Sequence, residues 1–105
     1  MGLDQYFLTT KNYDDNEIIY FRKYHTLDTF IREMIGFKEN GGLVRLSDAD
    51  IQAIIDFIIE DAKDNFMFEN HENNGAPYND DFYRTLGILT HYMITNEPLY
   101  YGSDW

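Results

Sequence analysis

The chain has 105 residues, 44% of them apolar and 17% aromatic, with eight Lys and Arg against nineteen Asp and Glu for a formal charge of −11. A length of that order fits one domain, residues 1–105, that buries roughly 60 to 68% of its unfolded surface. Its charge repels nucleic acid and anionic membranes and attracts a basic partner. The lack of cysteine excludes disulfides, thiolate catalysis and thiolate-bound zinc.

Leu3 to Thr10 mixes aromatic and β-branched residues, with Tyr6 and Leu8 alternating against Phe7 and Thr9, which predicts a short strand. Asn12 to Asn16 is turn chemistry. Glu17 to Phe21 reads as a second strand running into a helix over Arg22 to Phe37, where Tyr24, Leu27, Phe30 or Ile31, Met34 and Ile35 recur at helical spacing. Gly36 and the run Asn40-Gly41-Gly42 end that helix, and Leu43 to Leu46 is a short extended approach to the next one.

The strongest signal runs from Ser47 to Phe66. Ile51, Ile54, Ile55, Ile58, Ile59, Ala62 and Phe66 form one apolar stripe at spacings of three and four. Ser47 is a helix cap, its side-chain oxygen accepting from the N–H three residues on, and Asp48 and Asp50 favour the positive helix end. Asp48, Gln52, Asp56, Glu60 and Asp64 line the opposite face, with Lys63 the one base near them. Met67 to Pro77 is polar and Asn-rich, an exposed loop by composition.

Asn79 is expected to cap a third helix from Asp80 to about Thr95, with Asp80 and Asp81 in its first turn. Phe82, Leu86, Leu89 and Met93 make one stripe, and Tyr83, Ile88, Tyr92 and Ile94 extend it around, which predicts a largely covered helix. Pro98 breaks the run, and Leu99-Tyr100-Tyr101 reads as a final edge strand or an aromatic anchor. The expected fold is α+β: three helices packed with a small antiparallel sheet from the N- and C-terminal segments.

Three features together carry a resemblance: the opening Met1-Gly2-Leu3-Asp4-Gln5-Tyr6, the segment Ile19-Tyr20-Phe21-Arg22-Lys23, and the closing Tyr100-Tyr101-Gly102-Ser103-Asp104-Trp105. The chain resembles a group of small phage-encoded proteins with an N-terminal Gly-Leu-Asp-x-Tyr pattern, a Tyr-aromatic-Arg-Lys element and an aromatic-Ser-x-Trp ending. It departs from them at Asn73-Asn74-Gly75-Ala76-Pro77, where the group has a Gly-aromatic-Gly stretch. The resemblance implies a phage or prophage origin and expression in a bacterial host; it brings no activity with it.

No catalytic arrangement stands out. His25, His71 and His91 match no metal-ligand spacing, and His25 and His91 are expected to be half-buried with backbone or Tyr partners. Ser47 is a cap, Ser103 lies in the aromatic ending, no nucleophile elbow occurs, and Gly41-Gly42 lacks the Lys of a phosphate loop. No cofactor, metal or catalytic residue is therefore expected. No run reaches the ~18 apolar residues of a membrane span and no secretory leader is evident, so a cytoplasmic protein is expected.

The expected function is binding. An acidic phage protein of this kind fits the inhibition of a host protein with a basic surface, possessing anti-restriction or anti-interference (anti-CRISPR) activity by presenting carboxylates where phosphates are expected. The candidate contact residues are Asp48, Asp56, Glu60, Asp61, Asp64, Glu69, Glu72, Asp80 and Asp81, with Tyr78, Tyr101 and Trp105 as surface aromatics. Arg22, Lys23 and Arg32 form a basic cluster on the first helix. One reading makes it an internal ion pair with Asp4 or Asp28; the other makes Arg22, Lys23 and His25 an anion or ligand site. A third class is self-assembly through an aromatic edge at Leu99 to Tyr101.

Overall fold

The computed structural model describes residues 3–9, 17–38, 41–64 and 82–104. In chain order they form β1 (Asp4–Leu8), β2 (Glu17–Arg22), α1 (His25–Ile35), β3 (Leu43–Arg45), α2 (Asp48–Asp64), α3 (Phe82–Thr95) and β4 (Tyr100–Asp104). The strands make one antiparallel sheet in the order β2-β1-β4-β3, and α2 packs against both α1 and α3. The α+β expectation is borne out.

Alternation sorts the sheet into two faces. Register places Ile19, Phe7, Tyr101 and Val44 in one cross-strand row and Phe21, Gln5 and Ser103 in the next. These rows face the helices. Phe7, Ile19, Phe21 and Tyr101 join Leu27, Ile31, Ile51, Ile54, Ile55, Ile58, Leu89 and Leu99 in one core. The α2 stripe accounts for four of those residues. Ile59 departs from it, 38% exposed, because it sits at the rim of the stripe. Ala62 and Phe66 have side chains outside the described residues.

Helix α1 starts three residues later than its apolar spacing suggests. The strand β2 continues through Arg22, and Lys23 then turns the chain at φ 63°, a left-handed conformation that costs a lysine about 1 kcal/mol or more. That turn is fixed by the Lys23 N–H, which donates to the Leu3 carbonyl at 2.7 Å. Gly36 closes α1 at φ 77°, with its N–H on the Arg32 carbonyl.

Two further expectations are corrected. The segment after Gly42 is a strand rather than a plain approach: Leu43 and Val44 pair with Gly102 and Tyr101, flanked by bonds from Gly41 N–H to Ser103 and Leu46 N–H to Leu99. The strand at Tyr100 is not an edge, since β1 pairs with one side of it and β3 with the other. An aromatic edge for assembly at Leu99 to Tyr101 is thereby removed; the sheet's edges are β2 and β3.

Candidate functional site

Helix α2 is set in place from below. Ile51, Ile54, Ile55 and Ile58 are buried, and Ser47 caps the helix as expected: its Oγ accepts from Asp50 N–H at 3.1 Å while Asp50 Oδ2 accepts from Ser47 N–H at 2.9 Å. This reciprocal cap directs Asp50 inward to the helix end. The other side of the helix then projects Asp48, Gln52, Asp56 and Glu60 into solvent, with Gln52 Nε2 donating to Asp56 Oδ1 at 3.0 Å.

Asp61 is on the same helix but does different work. It is half-buried and accepts the Tyr24 hydroxyl at 2.7 Å, which ties α2 to the start of α1, and the stacked rings of Phe30 and Phe57 join the same two helices. Burial first, and then the Asp61 carboxylate, push the Tyr24 phenol well above its ordinary range. Asp64 ends α2 with its side chain outside the described residues, and Glu69, Glu72, Tyr78, Asp80, Asp81 and Trp105 lie outside them too.

Tyr101 is not a surface aromatic. It is fully buried, because inward-facing β4 positions fall on Tyr101 and Ser103 once the strand is paired on both sides. Its hydroxyl donates to Asp28 Oδ1 at 2.6 Å and accepts from Gln5 Nε2 at 3.2 Å, and Gln5 Oε1 accepts Tyr24 N–H at 2.9 Å. Ser103 Oγ donates to the same Asp28 oxygen at 2.7 Å and accepts from Arg32 Nη2 at 2.6 Å. Arg32 Nε meets both Asp28 oxygens at 3.2 Å. Donors and acceptors alternate along this network, with the Asp28 carboxylate buried at its centre.

The basic cluster is therefore divided. Arg32 turns into the core and pairs with Asp28, one of the two acids expected for an internal ion pair, and its guanidinium ties α1 to the last strand. Arg22 ends β2, Lys23 is the exposed turn residue and His25 opens α1, exposed. His91 is also more exposed than expected, its Nε2 3.2 Å from Glu97 and its ring edge-on to Tyr92. His71 lies outside the described residues.

A cleft of about 450 Å³ opens beside the network, lined by Asp28, Thr29, Arg32, Glu33, Gly36, Phe37 and Lys38, with the Arg32 guanidinium 4.8 Å from the Phe37 ring centre. Another, of about 480 Å³, lies between the α2 cap and Asn96, lined also by Arg45 and Leu46. Arg22, Lys23 and His25 line neither. Among the described residues no three His, Asp or Glu converge as metal ligands, and no helix is long and apolar enough to cross a membrane.

Helix α3 departs most from expectation. Thr85 and Leu89 are buried and Phe82, Leu86, Ile88, Tyr92 and Met93 are packed against the core, but Tyr83 and Ile94 are 82% and 74% exposed. A helix apolar all round gave no sign of which side faces out. The chain matches no family profile, no curated protein and no solved structure.

Proposed function

We propose that the protein works by binding, as a small acidic phage product that engages the basic surface of a host protein and inhibits it, with anti-restriction or anti-interference activity as the concrete form. The observation behind this reading is the exposed row Asp48, Gln52, Asp56 and Glu60, held outward by a helix whose other side is locked in the core, in a chain of charge −11. Long-range attraction would bring the row to a cationic groove that ordinarily receives nucleic acid. Successive members of the row step ~6 Å along the axis, against ~3.4 Å for phosphates along one strand, so the groove would be met by potential and shape and not phosphate by phosphate. Catalysis has no part in this reading, and the setting is the cytoplasm of the bacterial host.

The test is capture of partners from a bacterial lysate on the tagged protein, eluted with rising salt, beside an Asp56→Lys, Glu60→Lys double variant. A nucleic-acid-binding protein retained to high salt by the parent chain and lost from the variant is the expected result. Equal retention by both rules out the acidic face. The alternative, an anion or ligand site at Arg22, Lys23 and His25, has the exposure of Lys23 and His25 in its favour, but these residues line neither of the two clefts described above.

A further inference from the structure

We draw no further inference here: the strongest candidate, the cleft of about 450 Å³ beside the C-terminal half of α1, is lined by Asp28 and Glu33 as well as Arg32 and Lys38, so its charges cancel and nothing among the described residues shows what ligand would occupy it.

Discussion

Arg32 in α1 and Ser103 in β4 are 71 positions apart, and Arg32 Nη2 donates to Ser103 Oγ at 2.6 Å. The same guanidinium neutralises Asp28, itself only 4% exposed. The pair is therefore a clamp between a helix and the strand that completes the sheet. Replacing Arg32 by Met leaves the Asp28 charge buried without its counter-charge, and the expected loss is about 3 to 5 kcal/mol, read as a lower urea midpoint. The double variant Asp28→Asn, Arg32→Met removes the stranded charge and should regain much of that loss. A single variant as stable as the parent would mean that the charge is not buried in solution.

Alkaline pH should unfold the protein through its buried phenols. Tyr24 and Tyr101 are both held protonated far above the ordinary value of 10.0, chiefly by burial and then by Asp61 and Asp28 respectively. Their folded pKa exceeds the unfolded one, so the unfolded chain loses its protons first. Stability is whole below pH 10.0 and falls as pH rises beyond it. Tyrosinate absorbance followed with circular dichroism should show part of the phenol signal arriving only with unfolding, and Tyr24→Phe should soften the alkaline loss. Full phenol ionisation while the fold persists would contradict this. Tyr20 shares the direction through burial and Asp4, but it lies partly exposed on the open sheet face and counts for less.

Two glycines separate backbone conformation from crowding. Gly36 and Gly41 sit at φ 77° and 81°; a Cβ on Gly36 meets nothing within 4 Å, whereas one on Gly41 comes 2.8 Å from Asp104 Oδ1. Gly36→Ala should cost about 1 to 2 kcal/mol from the left-handed conformation alone. Gly41→Ala should cost more, because the Asp104 side chain must move as well. Thermal melts of the two variants give the comparison, and a smaller cost at Gly41 would refute the ordering.

Reversing charge on α2 should change association and little else. Asp56 and Glu60 are exposed, so Asp56→Lys with Glu60→Lys should shift stability by no more than about 0.5 kcal/mol per site. Binding to a cationic partner should weaken and its dependence on salt should flatten together, as fewer ion contacts form. Loss of affinity with an unchanged salt slope would point to contacts of another kind.

The parts of this fold that were legible in the sequence are those fixed by near neighbours. The α2 stripe of Ile51, Ile54, Ile55 and Ile58, the Ser47 cap and the Gly36 stop each depend on residues within about two turns. The place of β4 does not: nothing in Tyr100 to Asp104 says whether one or two strands will pair with it. The expectation of a surface Tyr101 fails for that reason. Asp28 and Arg32 look like an ordinary exposed i, i+4 pair, and only their positions directly after the buried Leu27 and Ile31 mark them as flanking the core. In α3 the apolar residues run all round, so periodicity had no outer face to reveal and Tyr83 and Ile94 could not be singled out.

The place of β4 between β1 and β3 also governs when the molecule can form. Asp4 pairs with Asp104 and Leu8 with Tyr100, so the central pairing of the sheet joins opposite ends of the described chain. Closing so wide a loop loses entropy before any contact compensates for it, and proteins dominated by such pairings fold slowly. The hairpin of β1 and β2 and the helix α2 can form early, but β3 has no strand to join until β4 arrives. The clamp of Arg32 on Ser103 and the pairing of β3 therefore form only once Tyr100 to Asp104 has joined β1, and they belong to the late part of folding.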